Sequence, residues 1–192
     1  MQWSSGLTSQ DRYGVIVADP PWHYRQTPRS SAARHYRTMT VEQLTALPVS
    51  ALVAEHAVLF LWATWPNLPE ALSVVSAWGF TYVSGFPWVK TSRDPEMTLF
   101  GLKARVALGV GWWVRGVSEP ILICRRGRVR IPKNPYAGLL AKRLEHSRKP
   151  ESIYAMAERF NGPYLELFAR RRRAGWDAFG NEVEGSVTLE GG

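Results

Sequence analysis

The sequence has almost no cysteine. Cys124 stands alone in 192 residues, which excludes an intrachain disulfide and a cysteine zinc cluster. It follows Ile121-Leu122-Ile123 and reads as a buried structural thiol. The four histidines, His23, His35, His56 and His146, lack the paired spacing of metal ligands, so a metal-independent protein is expected. No apolar run approaches a membrane span. The start, Met1-Gln2-Trp3-Ser4-Ser5, shows no charged stretch followed by an apolar one, so a cytoplasmic protein without a signal peptide is expected. Internal repeats are absent as well. One domain is expected over residues 1–184, with 185–192 as a frayed tail.

Acidic residues are scarce relative to basic ones. With 16 against 24, the formal charge is +8, a balance that favours a polyanionic partner such as nucleic acid. A glycine-rich phosphate loop is missing too. Gly109-Val110-Gly111 follows no clear strand, opens no helix and lacks a third glycine, so it is not a dinucleotide fingerprint.

Hydrophobic residues make up 45% of the chain, enough for one substantial core, and nine of its residues are tryptophans. Val15-Ile16-Val17-Ala18 reads as a buried strand bounded by a turn signal. Asp19-Pro20-Pro21-Trp22 follows, at the strand end where open α/β sheets bind ligands. Neither proline can donate a backbone hydrogen bond, and each holds the residue before it extended. The Asp19 carboxylate and the Pro20 carbonyl are therefore expected as two outward acceptors, with the Trp22 indole beside them. Two acceptors next to an aromatic face suit a planar group bearing an amine, such as a nucleobase.

The rest of the chain alternates between the two periods. Thr40 and Gln43 suggest a capping box for a helix reaching about Leu47 and stopped near Pro48. Ala57 to Trp62 reads as a second buried strand and Leu68 to Trp78 as a helix ended by Gly79. Short strands are expected at Phe80–Val83 and Phe86–Val89, another around Ile121-Leu122-Ile123, and late strands at Tyr164–Ala169 and Trp176–Phe179. Pro150 opens a helix whose Ile153, Met156, Ala157 and Phe160 share one face. The segment from Arg93 to Val110 has no clear period. Together these elements argue for a three-layer α/β sandwich around a largely parallel sheet.

The string Ala18-Asp19-Pro20-Pro21-Trp22 resembles the catalytic motif of the DPPW-type adenine methyltransferases. The resemblance continues in order through Leu59-Phe60-Leu61-Trp62, Ala77-Trp78-Gly79-Phe80, Trp88-Val89-Lys90-Thr91, Ser147-Arg148-Lys149-Pro150 and Glu166-Leu167-Phe168-Ala169-Arg170. It closes at Gly175-Trp176-Asp177 and Gly180-Asn181-Glu182. It implies a Rossmann-like, S-adenosylmethionine-dependent methyltransferase fold in permuted order, with the catalytic strand early and the cofactor strand late. It implies methyl transfer to the N6 amine of adenine, in DNA rather than RNA because the single domain is small.

Residue by residue, the resemblance assigns Asp19, Pro20, Pro21 and Trp22 to catalysis, Asp19 also touching the cofactor. Lys149 and Arg170 match positions that bind the methionine carboxylate or the ribose, Asn181 and Glu182 positions at the ribose hydroxyls, and Phe168 one flanking the adenosine. Tyr36, Trp62 and Glu119 match the substrate side. Where family members often carry His-Asn shortly after the Arg170 position, this chain has Arg172-Arg173. The basic run from Arg125 to Lys133, with Arg126 and Arg128, is expected to track phosphates. RNA methylation and a non-catalytic nucleic-acid-binding subunit are the rival readings. The intact Asp-Pro-Pro-Trp string speaks against the second.

Overall fold

The computed structural model describes residues 12–23, 38–98, 101–108, 115–133, 138–142, 149–180 and 183. Strand β1 (Tyr13–Ala18) is followed by the short helices α1 (Val41–Thr45) and α2 (Val49–Leu52) and by β2 (Val53–Trp62). A 3-10 turn (Trp65–Asn67) leads into α3 (Leu68–Ala77) and β3 (Thr81–Thr91). A small hairpin, β4 (Glu96–Thr98) and β5 (Gly101–Lys103), stands apart from the main sheet. Then come β6 (Ser118–Arg126), β7 (Leu139–Lys142), α4 (Ser152–Ala157), β8 (Tyr164–Leu167) and β9 (Trp176–Phe179).

Seven strands form one sheet in the order β7-β3-β6-β2-β1-β8-β9. Strands β1, β2, β8 and β9 pair in parallel, whereas β6 runs antiparallel to both of its neighbours, β2 and β3. This is a mixed α/β, Rossmann-like architecture, and its order is permuted as the resemblance implies: the first strand of the chain lies beside the late strand β8. Alternation sorts the side chains of β1 cleanly. Ile16 and Ala18 join the core under α1, α2 and α3, while Val15 and Val17 join the core under α4. The same split runs through β2, with Leu59 and Leu61 on one face and Phe60 and Trp62 on the other.

Several elements differ from the expectations. The helix after Thr40 does carry the capping box, but it ends at Thr45, and a second short helix, α2, forms beyond Pro48. The two short strands at 80–83 and 86–89 are one strand. A register shift between Tyr82 and Ser84 absorbs the irregularity and keeps the whole length paired with β6. Strand β7 was not anticipated; it is a four-residue edge strand in a basic context. Strand β8 stops at Leu167 rather than Ala169, because Phe168 turns out of the sheet at φ 64°. Among the described residues no helix is long and apolar enough to cross a membrane.

Candidate active site

The register of the sheet decides which side chains meet. Ala18 pairs with Leu61 on one side and Leu167 on the other, so Asp19 emerges between the carboxyl ends of β2 and β8. Because β6 runs the other way, its beginning reaches that same end: Leu61 pairs with Leu122 and Trp62 with Ile121, two residues after Glu119. Glu119 in turn pairs with Trp88, and Lys90 lies one pleat further on. One antiparallel strand thus brings a second carboxylate to Asp19.

Lys149, just before α4, closes the array. Its Nζ lies 3.0 Å from Asp19 Oδ1 and 3.5 Å from Glu119 Oε2. Lys90 Nζ lies 2.5 Å from Glu119 Oε1. Two lysines and two carboxylates alternate in a neutral chain: Asp19, Lys149, Glu119, Lys90. Lys149 also sits over the face of the Trp62 ring at 5.2 Å, and Trp62 meets Trp88 edge to face at 5.6 Å. The lysine side chain is 14% exposed and that of Asp19 is 22% exposed, so the array is sunk in the protein but still open to a ligand.

The electrostatics follow from this packing. Burial raises the Asp19 carboxyl above its ordinary value, against the opposing pull of Lys149 and Arg170. For Glu119 burial acts the same way, but Lys149 and Lys90 together outweigh it and hold that carboxyl below its ordinary value. Lys149 is shifted upward, since burial, which would lower it, is overcome by Asp19 and Glu119. The two carboxylates are therefore pushed apart, as in sites where one titrates and the other stays charged.

The turn after Asp19 corrects two expectations. The Pro20 carbonyl is not free of internal donors: it accepts from Trp22 N–H at 2.8 Å, and the Pro21 carbonyl accepts from Met39 N–H at 2.8 Å. Each carbonyl oxygen has a second lone pair. Trp22 is no stacking platform. It is 6% exposed, packs in the core with Leu61 and Trp78, and donates its indole N–H to the Trp62 carbonyl at 3.0 Å. It braces the Asp19 turn against β2. Trp22→Phe, which leaves that buried carbonyl unpaired, is expected to lower stability by about 1–2 kcal/mol in urea denaturation. An unchanged midpoint would show that the hydrogen bond contributes nothing.

An exposed aromatic face exists elsewhere on the rim. Trp65 is 51% exposed, and its indole N–H donates to Ser118 Oγ at 3.1 Å, next to Glu119. The following Asn67 reaches the His23 carbonyl at 3.5 Å, which ties this turn to the end of the Asp-Pro-Pro-Trp segment.

The late strand supplies the neighbouring wall. Phe168 adopts φ 64°, a left-handed conformation unusual for a bulky residue, where glycine would sit without strain. Its ring stacks on Trp78 at 6.4 Å and meets Phe179 edge to face. Glu166, whose Oε1 accepts from the Tyr154 hydroxyl at 2.7 Å, is raised by burial and by Asp19. Glu166 was not singled out from the sequence, although a charged residue between Leu165 and Leu167 in a buried strand was its signal. Lys90 was likewise overlooked inside Trp88-Val89-Lys90-Thr91.

The structure brings together Asp19, Pro20, Pro21, Trp22, Trp62, Glu119, Lys149, Phe168 and Arg170 at one end of the sheet. Tyr36, Asn181 and Glu182 lie outside the described residues. Arg126 and Arg128 are not part of this gathering. Arg126 pairs with Ala57 at the opposite end of the strands and donates to the Ser50 carbonyl at 2.9 Å, with Arg128 just beyond it. The reversal of β6 that delivers Glu119 to Asp19 carries these arginines away from it.

The MT-A70 family model matches residues 13–182. The chain is similar to the type II methyltransferase M.MunI of Mycoplasma sp., at 28% identity over 90% of this chain and 78% of that protein. It is 30% identical, over 94% of its length, to a putative N(6)-adenosine-methyltransferase MT-A70-like protein of Medicago truncatula, but spans 28% of that protein. It is also 30% identical to the N6-methyladenosine RNA methyltransferase MTA1 of Pyricularia oryzae, spanning 48% of it.

Proposed function

The chain belongs to the MT-A70 family, and from that premise we propose that it transfers a methyl group from S-adenosylmethionine to the N6 amine of adenine, in DNA. The observation that carries this reading is Asp19, held at the carboxyl end of β1 between β2 and β8 and pinned through Oδ1 by Lys149. Its second oxygen and the spare lone pair of the Pro20 carbonyl are two acceptors on adjacent residues. They match the two hydrogens of an exocyclic amine, and accepting both shifts the nitrogen lone pair out of the ring and toward attack. The amine nitrogen gains a methyl and loses one proton. Asp19, raised by burial, is suited to take that proton.

The donor-side residues fit a cationic, nucleoside-containing methyl donor. S-adenosylmethionine, when bound, supplies a methyl on a sulfonium. Lys149 retains one N–H beyond those directed at Asp19 and Glu119, suited to a carboxylate. Phe168 presents an aromatic wall at a strained turn, and Asn181 and Glu182 follow the end of β9 in sequence. Arg170 stands near enough to Asp19 to influence its charge. Trp65 takes the stacking role first expected of Trp22, offering an exposed indole beside Ser118 and Glu119.

DNA is favoured because the type II methyltransferase is matched over 90% of this chain and 78% of its own length. RNA is the second reading, favoured by the MTA1 relative. Tritiated methyl transfer to matched DNA and RNA oligonucleotides, followed by nucleoside analysis, tests both. Label in N6-methyldeoxyadenosine is the expected result. Label confined to RNA would replace the substrate, and label on no adenine would end the reading.

A further inference from the structure

The residues after β6 form a strap that is stapled at both ends. At the start, Gly127 turns at φ 62°, and a Cβ there would lie 2.3 Å from the Glu55 carbonyl oxygen, so only glycine lets the chain fold back against β2. The Arg128 N–H donates to His56 Nδ1 at 3.3 Å. At the far end, the Arg159 guanidinium beyond α4 donates to the Lys133 carbonyl. Between strap and sheet lies a cavity of about 560 Å³, lined by Arg128, Arg130, Lys133, Arg159 and His56 and flanked by Ile131, which is 75% exposed. None of the described residues lining it is acidic.

We propose that this cleft is a second polyanion site, which grips the phosphodiester backbone of the substrate away from the target base. The assignment rests on the reading of the substrate as nucleic acid. Volume and charge agree: the cavity is within the range that takes a nucleotide-sized group, and arginine forks match phosphate oxygens. With Nδ1 accepting, neutral His56 carries its proton on Nε2 as a further donor. The exposed Ile131 offers an apolar contact beside the cations.

Position supports the same conclusion. The cleft opens at the amino end of β1, on the face covered by α4, and the Asp19 array lies at the carboxyl end on that same face. Gly14 lines the cleft and Asp19 lies five residues on, roughly 17 Å away at the usual strand rise. Along a duplex strand this corresponds to about five phosphate steps. On the intervening α4 side, Glu151 is neutralised by Arg171 and Arg173, so no unpaired acid from that residue interrupts the path. The preorganised strap loses little freedom on binding.

The test uses the full chain and fluorescein-labelled oligothymidylate, which contains no adenine and so reads the anchor separately from methyl transfer. The triple variant Arg128→Gln, Arg130→Gln, Lys133→Gln is expected to bind at least about tenfold more weakly. Its log–log salt slope should fall by about 2, at roughly 0.7 per lost single-strand contact. Affinity for S-adenosylmethionine and the single-turnover rate at saturating DNA should be unchanged, while KM for DNA rises. The milder pair Arg130→Gln, Lys133→Gln, both exposed, shows part of the effect should the triple variant misfold. Unchanged affinity and slope in a folded variant would overturn the site. Displacement of the oligonucleotide by polyglutamate at equal charge would overturn the phosphodiester assignment in favour of acidic protein segments. A wild type that methylates no nucleic acid, yet binds oligothymidylate through the cleft, would sink the enzymatic reading and leave the cleft as a phosphodiester-binding site with no target base to serve.

Discussion

Asp19→Asn is expected to lower single-turnover methyl transfer by roughly 10²–10³-fold, the usual cost of removing a group that stabilises charge developing in the transition state. The amide keeps the shape and one acceptor oxygen but cannot take a proton from the amine. Stability should not fall with activity. A carboxyl raised in the folded state binds its proton more tightly there than in the unfolded chain. Ionised Asp19 therefore costs the fold free energy, and that cost appears as pH rises above 3.8, its ordinary value. A neutral isostere removes the cost, while Lys149 keeps Glu119 as its partner. The variant should melt at or above the wild-type temperature at neutral pH and bind S-adenosylmethionine measurably. For the wild type, the acid limb of the rate profile should lie above 3.8. Turnover within twofold of wild type would remove Asp19 from the chemistry.

The sequence made the scaffold legible where one period dominated. Val15 to Ala18 and Ala57 to Trp62 are buried on both faces, so a continuous apolar run marked them. The capping box at Thr40 and Gln43 is local chemistry and appeared where it was expected. The site was legible as a set of motifs but not as a geometry. Nothing in the string Ser118-Glu119-Pro120 announces that β6 runs antiparallel, and that reversal alone decides that Glu119 approaches Asp19 while Arg126 leaves it. Trp22 looked like an exposed face because it stands beside two prolines. Its burial depends on Met39 and Trp62, which no local pattern connects to it. Strand β7 lacked a signal because an edge strand needs only four residues and one neighbour.

Lys149→Met should damage both fold and catalysis, and the pH dependence separates the two. The substitution keeps an unbranched chain over Trp62 but leaves Asp19 without its nearest cation and Glu119 with Lys90 alone. Breaking a buried pair by removing one partner typically costs about 3–5 kcal/mol, because a charge stays behind uncompensated. Asp19 should then protonate at still higher pH, since Lys149 is the strongest influence opposing its burial. The acid limb of methyl transfer accordingly moves upward, and Lys149→Arg should return it most of the way. The stability deficit has a definite sign with pH. Glu119, lowered in the folded protein, contributes stability above its ordinary 4.5 that is lost as pH falls through its depressed value. In the variant that contribution shrinks. The gap between wild type and variant should therefore be widest at neutral pH and narrower at an acid pH below 4.5, where the wild type's Glu119 contribution is being lost. Urea denaturation at the two pH values measures it. A gap that stays constant would mean that Lys149 acts by packing on Trp62 and not through its charge, and the alternating array would lose its central member.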